Sequence, residues 1–372
     1  MKKILLFGIV ILAVMQVNKA QTTNDVLNLL IQRNVISQEE ADSLRADAAI
    51  KQQESDSKKK SFAVNAGKTI QLSGYTQVRY QNLEQTGKKP GFDVRRARLT
   101  AKGNISPYFT YTLQPEFAGA SARLLDAFGE FKISPFFNLS VGQQKISFTR
   151  ESQESDNKYD FIDRSVAVQA LSARNGDVIG DQNGRDLGVQ AFGTFKLSDD
   201  KPLVDYWLGI FNGTGINAVE NNTSKDVSAR ILLHPYKGLE IGASYYDGVG
   251  NYLVSNGSNH LRKRWGLELH YEFKDLSVQG EYLKGQDGVI KKDGYYAQAG
   301  YFVIPQKWEV VVKYDTFDPD NSKDNDRTKL YFAGINYTFN SSTRFQIGYD
   351  VRQKQGGGTN TNYAVAQFTI GF

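Results

Sequence analysis

Charged side chains recur at every second position in several stretches of this 372-residue chain, a spacing that puts them on one face of an extended strand. Arg96, Arg98 and Lys102 form one such row, Arg344 and Arg352 another, with Arg79 and Glu116 on neighbouring stretches. Fixed charges along the wall of a wet passage select and orient ions and polar solutes without making or breaking bonds. A second set sits in the segment 148–185: Glu151, Glu154, Asp156, Asp160 and Asp163, with Arg164 among them. This segment carries an acidic excess, and Tyr159, Phe161, Ile162, Val166 and Val168 could pin it to a wall. The expected arrangement is a constriction, with a basic wall on one side and an acidic loop facing it.

Bond-making chemistry finds little to work with. There is no cysteine, which removes thiol catalysis, cysteine zinc sites and disulfides together. Of the three histidines, His234 precedes Pro235, His260 falls in a loop, and His270 stands between Glu268 and Glu272 on an inward strand face. The run Asp318 to Asp326 resembles a calcium loop in composition only, since it lacks the glycine and the closing acid of that motif. Gly356 to Gly358 precede no helix, so they form no phosphate cradle. No catalytic residue, metal site or cofactor is expected. The 45 basic residues outnumber 40 acidic ones. Removal of Lys2, Lys3 and Lys19 with a signal segment leaves near neutrality, so charge does not point to nucleic acid.

The elements that would position these charges are strands. No apolar run after residue 20 is long enough to span a bilayer as a helix, which takes about 20 residues. From Ile70 onward, about ten-residue segments alternate apolar and polar side chains, the pattern of a transmembrane barrel. On 92–103 the alternation sends Ala97, Leu99 and Ala101 to lipid; on 262–273 it sends Trp265, Leu267 and Leu269 there. Twenty Tyr and 22 Phe suit aromatic girdles at the two membrane surfaces. The fold expected is all-β: an antiparallel transmembrane β-barrel of about 16 strands with a short α-helical N-terminal leader. Residues 1–20 read as an export signal, 21–61 as a helical or coiled periplasmic leader and linker, and 62–372 as the barrel with 148–185 folded inward. Short turns fall at Ser106-Pro107, Ser134-Pro135, His234-Pro235 and Lys274-Asp275; longer connections run through 148–185, 213–224, 285–293 and 318–327. That alternation of lengths puts both termini in the periplasm of a Gram-negative-type envelope.

The run Phe92-Asp-Val-Arg-Arg-Ala-Arg-Leu-Thr-Ala-Lys-Gly103 resembles the second-strand motif of the phosphate-selective porin O and P family. Leu125 to Phe131, Leu139 to Phe148 and Phe161-Ile-Asp-Arg-Ser165 continue the resemblance, which extends from about residue 70 to the end. It implies a sixteen-stranded, trimeric outer-membrane porin whose third outer loop enters the pore. The function expected is passive diffusion of small hydrophilic solutes or ions, with an anion porin for phosphate or polyphosphate as the alternative. A plugged structural or adhesive barrel and an outer-membrane enzyme are the other classes considered. Expected partners are outer-membrane lipid and lipopolysaccharide, the solutes or anions themselves, and further copies in a homotrimer.

Overall fold

The computed structural model describes residues 31–33, 37, 61–65, 68–83, 89–197, 201–250, 260–357 and 360–372. The signal and leader expected over 1–61 therefore fall almost wholly outside the described residues. A short strand, Ser61–Asn65, precedes the barrel.

Sixteen strands follow. The first eight are β1 (Lys68–Leu83), β2 (Gly91–Ser106), β3 (Phe109–Glu116), β4 (Arg123–Ser134), β5 (Phe137–Lys145), β6 (Arg185–Lys196), β7 (Pro202–Phe211) and β8 (Asp226–Tyr236). The second eight are β9 (Leu239–Gly250), β10 (His260–Phe273), β11 (Leu276–Asp287), β12 (Ile290–Ile304), β13 (Trp308–Asp318), β14 (Thr328–Asn340), β15 (Thr343–Lys354) and β16 (Thr361–Gly371). Each pairs antiparallel with the next, and β16 pairs with β1, so the sheet closes and leaves no edge. Phe372 and Gly74 exchange two backbone hydrogen bonds of 3.0 and 3.3 Å, drawing the carboxyl-terminal residue into the seam.

Period two governs the wall. On β13, Val310 and Val312 are exposed outward while Val311, Lys313 and Asp315 are buried inward. The same alternation exposes Trp265, Leu267 and Leu269 on β10 and buries Arg264, Glu268 and His270.

Three features depart from the sequence reading. The β8–β9 turn is Lys237-Gly238, so β8 runs on through His234 and Pro235. The long connection expected over 285–293 is a two-residue turn, Gly288-Val289, because β11 and β12 extend almost to each other. Gly288 takes φ +59° there, a left-handed conformation that glycine adopts without strain. The third departure is a bulge on β2: Gln77 opposes Arg96 and Val78 opposes Val94, leaving Arg95 as the extra residue. Strict alternation would aim Arg95 at lipid, at a cost of about 2–4 kcal/mol near the bilayer midplane. The bulge turns it inward beside Arg96.

Residues 146–184 join β5 to β6 and fold against the inner wall. They contain two short helices, α1 (Arg150–Gln153) and α2 (Val166–Leu171). Ser165 caps α2, accepting from the amides of Ala167 and Val168, and its hydroxyl donates to Asp315 on β13 at 2.9 Å. Ala167, Val168 and Leu171 pack with Phe211, Tyr246, Leu283, Tyr296 and Phe317 of the wall. Tyr159, Phe161 and Ile162 pack with Val311, Leu330, Phe332, Tyr363 and Val365. The uniformly polar lining expected from alternation is thus interrupted by an apolar inner patch under the segment. Gly285 and Gly294 supply bare wall: a Cβ would come within 2.5 Å of Leu171 at the first and 2.6 Å of Ala167 at the second.

Gly285→Val should therefore unseat α2 while the closed sheet persists, because a Cβ there meets only side chains, whereas at Gly294 it also meets the Thr316 carbonyl of the paired strand. Protease digestion of the detergent-folded variant should cut within 146–184, whereas heat-resistant migration of the barrel stays; resistance to cleavage would show that α2 does not depend on this contact.

Candidate functional site

The bore has two ends. Short turns and the carboxyl terminus lie at one, here the turn end; the opposite, loop end carries the 146–184 connection. The inner segment crosses between them and is bonded to the wall in three places.

On the β1–β2 side, Asp156 accepts from Arg98 at 2.6 Å and Arg164 at 2.9 Å and lies 3.2 Å from Arg96. Burial alone would raise this carboxyl's pKa, but Arg96, Arg164 and Arg98 outweigh it and hold Asp156 well below the ordinary carboxylate range. Arg98 also bonds Glu116 at 2.6 Å and Asn183 at 3.1 Å. Arg95 pairs with Asp163, which also accepts from the Tyr363 hydroxyl at 3.3 Å. Arg352 donates to that hydroxyl at 3.0 Å and to Asp350 at 3.2 Å.

On the β11–β13 side, Glu281 receives the Arg150 and Glu151 amides at 2.9 and 2.8 Å, occupying the start of α1. Glu151 accepts from the Ser165 amide at 2.8 Å and from the Tyr159 hydroxyl, with Lys313 at 3.5 Å. Asp160 pairs with Arg344 of β15 at 3.1 Å. Near the loop end of β10, Asp177 holds Arg262 at 3.0 Å and Arg264 at 3.5 Å. Removing one member of such a buried pair typically costs 3–5 kcal/mol, because the other charge is left without compensation.

Two chambers flank this partition. The loop-end chamber, about 280 Å³, is lined by Arg79, Arg95, Arg96, Arg98, Arg123, Arg164 and Arg174 against Glu116, Asp163 and Asp181. One Arg95 guanidinium nitrogen is buried without a partner. The turn-end pocket, about 160 Å³, sets Glu154, Asp160 and Glu272 against Arg150, Lys158 and His270. Fixed charge therefore changes along the axis, from strongly basic to mixed.

The sequence-derived residues divide accordingly. Arg79, Arg96, Arg98 and Glu116 meet in the basic chamber with Asp163 and Arg164. Arg344 lies apart from them, bonded to Asp160, while Arg352 bonds Asp350 and is linked to the Arg95–Asp163 pair through the Tyr363 hydroxyl. Lys102 is exposed farther toward the turn end and lines neither chamber. Glu151 is a fully buried anchor and Glu154 lines the turn-end pocket. Sequence reasoning missed Arg95, Arg123, Glu281, Lys313 and Asp315. For Arg95 a signal existed, since an arginine assigned to lipid is itself evidence that the register shifts.

Sixteen strands closed around an inward-folded segment with charged chambers on either side define a porin-type channel. Residues 64–371 match the family described as phosphate-selective porin O and P, and the chain belongs to that family. It is an outer-membrane porin. Among solved structures, an anion-selective porin from Comamonas acidovorans superposes with TM-score 0.64 at 12% identity, covering 82% of this chain and 100% of its own. OmpT, an outer membrane protein of Vibrio cholerae, in its trimer form gives TM-score 0.60 at 14% identity, covering 82% and 99%. A triple mutant of the Rhodopseudomonas blastica porin gives 0.56 at 16%, covering 82% and 100%. These likenesses are of fold. No curated protein matches the chain.

Burial pushes the Glu154 carboxyl up to about 7 despite Arg164 and Arg150 beside it. A raised acid is neutral below that pH and charged above it, so the turn-end pocket gains a negative charge between pH 6 and 8. Reversal potentials in a salt gradient should move toward cation preference over that interval, and Glu154→Gln should shrink the step. An unchanged step in the variant would assign the titration elsewhere.

Proposed function

We propose that this porin passes small hydrophilic solutes and ions through a bore narrowed by residues 146–184, and that its basic chamber makes it favour anions. The observation that carries this reading is the loop-end chamber, where seven arginines face three carboxylates. A negative ion entering it trades water for guanidinium donors, while a cation meets like charge in a confined space of low dielectric. Selection then rests on width and field, with no bond made or broken and no enzymatic role.

Phosphate or polyphosphate is the second reading. It is supported by the gathering of Arg79, Arg95, Arg96, Arg98 and Arg123 around one chamber, whose guanidinium donors suit the oxygens of a tetrahedral oxyanion. The family name points the same way. The trimer form of the Vibrio cholerae protein supports a homotrimer, and the short turns at the end shared with both strand termini support periplasmic termini.

Arg79 and Arg123 line the chamber outside the buried ion pairs: Arg79 pairs with exposed Asp93 at 2.6 Å, and Arg123 makes one exposed bond to the segment, to the Asp181 carbonyl at 3.2 Å, so their replacement tests selectivity with the main anchors of the segment in place. The R79Q/R123Q double variant should move the reversal potential in a KCl gradient toward cation preference while heat-resistant migration of the barrel stays, since the bonds lost are exposed ones. Glu272→Gln is the opposite-sign control; Glu268 is unsuitable because it neutralises buried Arg230. Deleting residues 152–180 should raise single-channel conductance severalfold. Equal conductance with and without the segment would mean another element sets the width. Inorganic phosphate that fails to reduce chloride current would sink the second reading and leave the first.

A further inference from the structure

We propose that the outer face of β10–β14 carries a binding site for a phosphorylated glycolipid headgroup of the outer leaflet. The proposal rests on the outer-membrane reading above, with the loop end facing outward.

A belt of rings runs around this face. Trp265 meets Tyr282 at 5.6 Å between centroids, Tyr295 meets Tyr314 at 5.9 Å, and Tyr314 meets Tyr331 at 5.1 Å. Tyr282 and Tyr295 are opposite each other in register. Such rings sit where hydrocarbon gives way to headgroups. Directly toward the loop end, at the next outward positions, stand Lys263, Lys284 and Lys329, two residues beyond Trp265, Tyr282 and Tyr331; Lys291 is four beyond Tyr295. The Lys284 ammonium lies over the Trp265 and Tyr282 rings at 5.4 and 5.7 Å, its stem covering the aromatic belt and its charge at the belt's upper edge.

Carboxylates are present at this level, but they are engaged. Asp247 lies 3.5 Å from Lys263, and Arg327 holds both Asp293 and Asp318, at 3.3 and 3.1 Å. Among the described residues Lys284, Lys291 and Lys329 have no ion-pair partner. The distribution is one-sided. Loop-end outward positions on β2–β8 carry Phe92, Val94, Val141, Leu187, Ile210 and Val227, with no lysine or arginine. A row of unpaired ammonium groups at headgroup depth, above rings and beside acyl chains, complements phosphate groups carried on a lipid. Free phosphate offers the charge but nothing for the belt below.

The test uses the folded full-length barrel in detergent and bisphosphorylated lipid A, with its dephosphorylated form as the second arm. Trp265 provides a fluorescence signal inside the site, and native mass spectrometry counts the bound lipid. Replacing Lys284, Lys291 and Lys329 together with alanine should weaken binding of the bisphosphorylated lipid roughly a hundredfold, at about fivefold per lysine. The dephosphorylated lipid should bind wild type and variant alike and weakly, and millimolar inorganic phosphate should not displace the lipid. Equal affinity of wild type and variant for the bisphosphorylated lipid would overturn the proposal, as would equal affinity of wild type for the two lipids. Conductance, measured on both proteins, separates the two readings: it should be the same, and its absence from both would strike the channel reading while leaving the lipid comparison intact.

Discussion

A polypeptide in hydrocarbon has no water to satisfy its amides, so a strand there must bond to another strand on each side. From that constraint the rest follows. The sheet must close, closure divides every strand into a lipid face and an inner face, and charge must collect on the inner one. The bilayer asks about 9–11 residues of a tilted strand, and β3 and β5 make the crossing with 8 and 9. The bore is where the expelled polarity accumulates, and its chemistry is set by how those charges answer one another.

They answer mostly through the 146–184 segment. Asp156 and Asp163 take arginines of β2, Asp160 takes one of β15, and Asp177 takes two of β10. The acidic segment and basic wall therefore largely cancel where they touch, and the field left over comes from arginines that remain in excess on the loop-end side. An acidic loop facing a basic wall across an open gap was too simple a picture. The contact is closed by ion pairs, and the residual positive charge sits above it.

Much of this was legible in the sequence because lipid is an unforgiving solvent. Alternation fixed strand number and the facing of Arg98, Glu268 and Gln346, since a one-residue slip would turn each to hydrocarbon. Connection lengths were less legible: 285–293 is polar enough to read as loop, yet Lys291 and Asp293 extend the wall past the hydrocarbon, where polarity carries no facing information. Apolar inward residues such as Val311, Leu330 and Val365 were invisible for the opposite reason. They look like lipid-facing residues until the segment that covers them is in view. The bulge at Arg95 belongs to the same class, a local shift that changes parity without changing composition.

The inner segment has one more consequence. Its side chains reach β2, β10, β11, β13 and β15, strands spread around the circumference. A barrel closed one residue out of register would turn Arg98, Asp315 or Arg344 to the wrong side, and the segment would find no seat. Seating therefore amounts to a check on assembly: it succeeds only after every seam is correct, and it rewards the finished barrel with contacts that no partly zipped or misaligned intermediate can make.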